Sequence, residues 1–326
     1  MEVGLAEQFY YGGQAVLDGV MMRGQKSVAV AVRRPDGGIS VANEPLSTVY
    51  TGKLRKTPMV RGLIVLVETL VLGMRSLLYS ANVAVGGEEE EENKLPPGVA
   101  WGSIILGLGL GVALFFIVPQ SLIGSLHIKS AIVKNLVERL FSIAIFIIYL
   151  VAMNLIPDVR RVFAYHGAEH KSINAYEAGV PLETESVKKY STAHTRCGTA
   201  FLLVVLILAM VVFAFLGWPV WWLRILSRIA LIPVIAGLSY EIIRLQARFA
   251  DNRVVRIILY PSLALQKLTT RQPNDDQLEV ALTALKKVLE TDNPAQELAA
   301  EAPIPVENTA AGESIDKPAD PSKTSL

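Results

Sequence analysis

The sequence AYHGAEHK, residues 164–171, places two histidines and a glutamate within five positions, between segments apolar enough to cross a membrane. On an α-helix, His166 and His170 are one turn apart on the same face, and Glu169 lies beside them. Their order is that of the H-x-x-E-H signature, in which two imidazoles hold zinc and the carboxylate handles protons. The stretch therefore predicts a metal site on a helix next to the membrane.

Residues that commonly begin or end a helix flank this stretch and predict its limits. Pro157 ends the preceding apolar run, Asp158 is a good N-cap, and Gly179 and Pro181 are stop signals. We expect a helix over residues 159–178 with its histidines in the middle of the apolar face. A buried imidazole needs a hydrogen-bond partner or a metal.

Two further residues complete a ligand set of nitrogen and sulfur. His194 and the single cysteine, Cys197, follow the helix, and with His166 and His170 they suit zinc or another divalent metal. A catalytic zinc would keep three of the four and leave one position for water. Glu177 is a weaker candidate because it lies too far along the helix from His170. The competing interpretation is a short chance match whose histidines bind water, headgroups or a neighbouring helix.

Composition indicates an integral membrane protein. The 326 residues are 52% hydrophobic and their mean hydropathy is +0.40. The apolar residues are concentrated in long runs. The net charge of +1 gives no reason to expect nucleic acid as a partner. One cysteine excludes an intrachain disulfide, and the N-terminus lacks the layout of a signal peptide.

The chain is predicted to be mainly α-helical, with about four transmembrane helices and a small N-terminal β-hairpin-containing cytoplasmic domain. In that domain residues 27–33 read as a strand, and 34–38 are a turn leading to a return strand. The glycine-rich residues 10–24 have two interpretations. They are either a loop that brings Gln14, Asp18 or Arg23 to the active site, or, as their spacing favours, the turn-rich start of the β unit.

The predicted spans cover residues 99–124, 135–156, 199–216 and 225–243. Residues 60–85 form an apolar helix with a polar seam at every seventh position, which we interpret as interfacial or re-entrant. Alternatively this helix packs inside the protein, with Glu68 and Arg75 paired. Glu241 ends the last span, either in a local ion pair or as a functional carboxylate. The predicted units are 1–58 (N-terminal domain), 59–85 (interfacial helix), 86–98 (acidic linker), 99–246 (membrane domain containing the H-x-x-E-H loop 157–198), 247–291 (amphipathic helices) and 292–326 (disordered tail).

Positive charge predicts the orientation. Lysines and arginines concentrate in the loop between the second and third spans and after the fourth, so the H-x-x-E-H loop and both termini should be cytoplasmic. The resulting expectation is a multi-pass protein of the bacterial cell (inner) membrane.

Three stretches together resemble the YqhQ-like family of bacterial membrane proteins, which is described as a domain of unknown function and provisionally as metal-dependent enzymes. The matching residues are 12–15 through 19–24, 165–171 and 196–199, and residues 268–285 also fit. Two departures stand out: Thr195 replaces the usual proline, and Asp18 replaces the usual glutamate. The resemblance implies an integral membrane protein with a metal site, and it supplies no substrate.

Three functions follow from these patterns. In the first, a zinc-dependent hydrolase acts at the cytoplasmic membrane surface, with Glu169 as general base. In the second, a non-catalytic scaffold or assembly factor uses the histidines structurally and binds a cytoplasmic protein partner. A transporter ranks last because the first and third predicted spans contain no ionisable residue. Besides the lipid bilayer, a homo-oligomeric partner remains open.

Overall fold

The computed structural model describes residues 9–52, 57–86, 96–217, 219–249 and 252–293. Most of the predicted acidic linker and of the predicted disordered tail lies outside the described residues, as do residues 1–8 and Trp218.

The N-terminal domain is an antiparallel meander of four strands in the order β1-β2-β3-β4. The predicted hairpin is present as β3 and β4, and the glycine-rich segment forms a second hairpin, β1 and β2. The strands are β1 (Gly12–Val16), β2 (Gly19–Arg23), β3 (Ser27–Arg33) and β4 (Ile39–Pro45).

Helices and the loops between them make up the rest of the described chain. They are α1 (Thr48–Thr51), α2 (Val60–Ala84), α3 (Pro97–Val112), α4 (Val118–Gly124), α5 (Ala131–Met153), α6 (Pro157–Glu177), α7 (Thr184–Val187), α8 (Gly198–Ala214), α9 (Trp221–Arg248), α10 (Arg253–Thr269) and α11 (Asp275–Asp292). A π-helical turn, Ala113–Ile117, joins α3 to α4, and α10 runs unbroken through Pro261. The histidine helix starts two residues earlier than expected, with Ile156 rather than Asp158 at the N-cap.

Both faces of the sheet are covered, which explains why β3 reads as an almost continuous apolar run. Successive side chains of a strand point to opposite faces. Ala29 and Ala31 face a core shared with α6 and α11, whereas Val28 and Val30 face α2. The sheet is therefore sandwiched between the histidine helix and α11 on one side and α2 on the other.

Among the described residues, four helices are long and apolar enough to cross a membrane. They are Val60–Ala84, Trp101–Gly124, Ala131–Met153 and Trp221–Gln246. Together with the N-terminal sheet they confirm the predicted mainly α-helical membrane protein with a small β-containing N-terminal domain. The number of candidate spans agrees with the expectation, but they are not the same four segments. The predicted span at 199–216 forms α8, whose 17 residues extend only about 25 Å at roughly 1.5 Å per residue, short of the hydrocarbon core.

Helix α2, rather than α8, has the length and composition of a span, and it also packs against the sheet. Its Leu72 and Val83 pack against the sheet, and Gly62 closely approaches Gly237 of α9. Glu68 pairs with Arg23 of β2 at 3.0 Å, so the pairing with Arg75 considered from the sequence is not the one that the structure shows.

Candidate metal centre

Helix α6 places the two predicted imidazoles on one face, and a loop returns the cysteine to them. Side-chain ligand atoms of His166, His170 and Cys197 all lie within 4.8 Å of one another. The rings of His166 and His170 stack edge to face with centroids 4.4 Å apart. We call these three residues the His–Cys cluster. His170 and Cys197 are buried, whereas His166 is half-buried.

Backbone carbonyls fix the tautomer of both imidazoles. His166 Nδ1 lies 2.8 Å from the carbonyl oxygen of Thr269, and His170 Nδ1 lies 2.6 Å from that of Thr192. A carbonyl oxygen can only accept, so each Nδ1 carries the proton and donates it. In a neutral ring, Nε2 then keeps its lone pair for a metal, the arrangement that orients metal-binding histidines in proteins.

The spacing of donor atoms fits zinc chemistry. Cys197 Sγ lies 3.4 Å from His166 Nε2. In a tetrahedral site with Zn–S of about 2.3 Å and Zn–N of about 2.0–2.1 Å, a sulfur and a nitrogen lie about 3.6 Å apart. Two imidazole nitrogens and a sulfur also match the ligand softness that zinc prefers. The residues present therefore fit a divalent metal.

Cys197 is positioned by two features of its loop. It is the N-cap of α8, where its sulfur accepts a hydrogen bond from Thr199 N at 3.3 Å. The preceding loop is tied to α6 by buried Lys171, whose Nζ donates to the carbonyls of Lys188 and Tyr190 at 2.6 and 2.7 Å. Thus one helix supplies the imidazoles and also anchors the segment that returns the cysteine.

Glu169 lies next to the cluster without being part of it. Its Oε2 is 3.5 Å from His170 Nε2, and the residue is only 5% exposed. The β1 strand covers it from the other side, because a Cβ added at Gly13 would lie 3.0 Å from Glu169 Cγ. A buried carboxylate beside two imidazoles can accept a proton at this position.

His194 lies outside the three-residue group, although its ring centroid is 5.7 Å from that of His170. Its Nε2 faces Arg196 Nη2 at 3.4 Å and Glu177 Oε2 at 3.6 Å, and Arg196 and Glu177 form an ion pair. Gln266 holds its backbone through two hydrogen bonds. Burial lowers the pKa of His194, an effect that the charge of Glu169 opposes, so the ring favours the neutral form.

The glycine-rich hairpin approaches Glu169 at Gly13. The Gln14 side chain packs on Gly73 of α2, Arg23 pairs with Glu68, and Asp18 Oδ1 lies 2.5 Å from Arg161 Nε. None of these three side chains belongs to the His–Cys cluster. Gly13 is required for a close approach, since its Cβ would also lie 2.3 Å from the carbonyl of Met21.

Sequence reasoning missed the groups that orient the cluster. Thr192 and Thr269 act through their carbonyl oxygens, which carry no side-chain signal. Gly167 was a detectable signal, because a glycine inside a helix suggests a close neighbour. A Cβ there would collide with the carbonyl of Arg271, so the chain just after Thr269 packs directly on α6.

A family model described as "Protein of unknown function (DUF1385)" matches residues 57–291. The uncharacterized protein YqhQ of Bacillus subtilis (strain 168) is 34% identical over 298 residues, which cover 86% of this chain and 92% of that protein. No solved structure matches the chain.

Proposed function

This chain belongs to the DUF1385 family of proteins of unknown function, and we propose that it is a membrane-bound, metal-dependent enzyme of the hydrolase class. The observation that carries the proposal is the convergence of His166, His170 and Cys197, with both Nδ1 atoms committed to carbonyl oxygens. Three ligands with an acidic neighbour are the composition of a catalytic zinc site.

Each residue has a defined part in this proposal. His166, His170 and Cys197 would hold zinc or another divalent metal. When bound, the metal supplies a Lewis acid and lowers the pKa of a water molecule towards neutrality. Glu169 accepts the proton of the attacking water, and the carbonyls of Thr192 and Thr269 keep the imidazoles in the tautomer that leaves Nε2 free.

The position of the cluster suggests where the substrate resides. Helix α6 begins four residues after the candidate span α5 ends, so the cluster lies close to a membrane surface. The concentration of lysine and arginine in this loop supports a cytoplasmic location, with both termini on the same side of the bacterial inner membrane. A lipid, lipid-linked or membrane-protein substrate fits that position.

The decisive test of catalysis is Glu169→Gln, which keeps the size of the side chain and removes the proton acceptor. We expect this variant to retain its metal and to lose turnover by about 10²–10⁴-fold, the usual contribution of a general base. Membrane extracts of a deletion strain complemented with wild type or variant would be compared by untargeted mass spectrometry. A species that accumulates in the deletion strain should be cleared by wild type only, and clearance by Glu169→Gln would contradict the catalytic role.

A second candidate, a scaffold with a structural metal site, is favoured by burial. His170 is 1% exposed and Cys197 4%, whereas a catalytic metal needs one open position. In this case the metal stabilises the loop against α6, and the sheet and α11 bind a cytoplasmic protein or a second copy of the chain. Glu169→Gln would then keep both metal and cellular function, so the same experiment separates the two candidates.

A further inference from the structure

A cavity of about 650 Å³ lies between the start of α6 and the end of α10, and its lining is basic. Its charged lining residues are Arg160, Arg161, Lys267 and Arg271, and Thr270, Gln272 and Gln277 add neutral hydrogen-bonding groups. No carboxylate lines this cavity among the residues that the structure describes. We call it the basic groove.

Most of this positive charge is not neutralised within the described part of the chain. Arg161 pairs with Asp18 at 2.5 Å. Arg271 donates through Nε and Nη2 to Asn154 Oδ1, a neutral acceptor, at 3.2 and 3.0 Å. Arg160 and Lys267 are exposed and have no acidic partner among the described residues. Like charges gathered in a concave site raise the local concentration of anions.

The groove lies beside the end of a candidate membrane span. Asn154, which holds Arg271, is the C-cap of the candidate span α5. Lys267 is in the last turn of α10, a helix that exposes an apolar stripe of Val254, Ile257 and Tyr260. A helix with such a stripe and a basic end is suited to lie in the membrane interface.

We propose that the basic groove binds the phosphate of an anionic lipid headgroup and docks the sheet domain and α6 onto the bilayer. The planar guanidinium group of Arg160 suits bidentate contact with phosphate oxygens, and Lys267 adds a point charge. Residues 269–271 separate the groove from the His–Cys cluster. The groove is therefore distinct from the proposed catalytic centre, and the inference does not depend on a bound metal.

The test uses the full chain purified in a neutral detergent, with binding followed by calorimetry. Dihexanoyl phosphatidylglycerol should bind saturably, whereas dihexanoyl phosphatidylcholine, which has no net charge, should bind much more weakly. The double variant Arg160→Gln/Lys267→Gln should weaken phosphatidylglycerol binding about 25-fold, at about fivefold per lost charge near a membrane surface. Both side chains are exposed, so the fold should be preserved.

The matched control is Lys189→Gln/Lys286→Gln, which removes the same charge from exposed positions outside the groove. This control should keep the affinity of wild type. Inorganic phosphate separates the two sources of the ligand. Weaker binding than phosphatidylglycerol supports a lipid, and equal binding that is lost in the groove variant would overturn the lipid assignment in favour of a soluble phosphate ester. Equal weakening in both double variants, or no weakening in the groove variant, would overturn the proposal.

Discussion

At the scale of single residues, the side chain that distinguishes the proposed centre from a pair of hydrogen-bonded histidines is Cys197. Its sulfur lies 3.4 Å from His166 Nε2 and accepts from Thr199 N at the start of α8. The thiolate, not the thiol, is the form of cysteine that serves as a metal ligand. Cys197 should therefore bind a metal as an anion.

Cobalt substitution tests for a bond between the Cys197 sulfur and the metal. In cobalt-substituted protein we expect a near-ultraviolet charge-transfer band from thiolate to metal, and Cys197→Ser should abolish it. Because Cys197 is the single cysteine of the chain, no other residue can produce this band. His127→Ala, an exposed histidine outside the cluster, should keep the band, and a band that survives in Cys197→Ser would exclude thiolate coordination.

His194 makes a separate prediction about pH. Burial lowers its pKa in the folded state, so the folded protein binds fewer protons than the unfolded chain near the ordinary histidine value. Stability from this residue is therefore complete above about pH 6.5 and decreases as the pH falls below it, by about 1.4 kcal/mol for each unit of pKa difference.

The check is the melting temperature of metal-free protein at about pH 7.5 and about pH 5.5, on either side of the unfolded histidine pKa. Wild type should lose more melting temperature on acidification than His194→Gln. Equal losses in the two proteins would mean that His194 is not the group responsible. Metal-free protein is required, because metal affinity itself depends on pH and would add a second effect to the comparison.

The residues of the cluster were predictable to different degrees. Helical geometry places His166 and His170 together, and that relation is local. Which of His194 and Cys197 comes closest depends on how the loop folds, and its course is decided by Lys171, Gln266 and backbone carbonyls. Main-chain acceptors have no sequence pattern, so the acceptors at Thr192 and Thr269 could be found only in three dimensions.

At the scale of secondary-structure elements, α6 connects the sheet, the returning loop and the end of α10. Gly167 lets the end of α10 pack closely on α6, since a Cβ at this position would meet the Arg271 carbonyl. In the same place Arg271 N donates to Phe163 O at 2.9 Å. The neighbouring carbonyl of Thr269 holds His166. A change at Gly167 should therefore reach the cluster through the backbone.

We expect Gly167→Ala to lower the free energy of unfolding by about 1–3 kcal/mol and to reduce metal occupancy together with it. The matched control is Gly109→Ala, also inside a helix, where an added Cβ meets nothing within 4 Å. The control should be neutral or slightly stabilising, because alanine favours a helix. Thermal unfolding and metal analysis of both variants provide the measurement, and a Gly167→Ala protein as stable and as metal-loaded as the control would refute the packing argument.

The strands were predictable only where a local sequence pattern defines them. β3 and β4 flank a strong turn signal, so the pattern alone predicted them. β1 and β2 are joined through Asp18, whose φ of 50° lies in the left-handed region. Their mixed composition reflects contacts with two different layers, and that arrangement becomes visible only when the sheet is placed between α2 and α6.

At the scale of the whole molecule, two candidate membrane helices, α5 and α9, are joined by a buried charge cluster that shares no residue with the His–Cys cluster. Glu138 of α5 accepts two hydrogen bonds from Arg228 of α9 at 2.7 and 2.8 Å and one from Arg139 at 2.6 Å. Removing one partner of such a buried group leaves a charge uncompensated. The cluster joins two candidate spans near their ends opposite α6, so it supports the membrane domain without contributing to the proposed centre.

The account as a whole depends on a metal bound where α6, the returning loop and the end of α10 meet. The most direct test is elemental analysis of the purified full chain, with wild type compared with His170→Ala and, as a control, His127→Ala. We expect roughly one divalent ion per chain in wild type and in the control, and its loss in His170→Ala. Wild-type protein that binds no metal under metal-replete conditions, or His170→Ala protein that keeps its metal, would contradict the account.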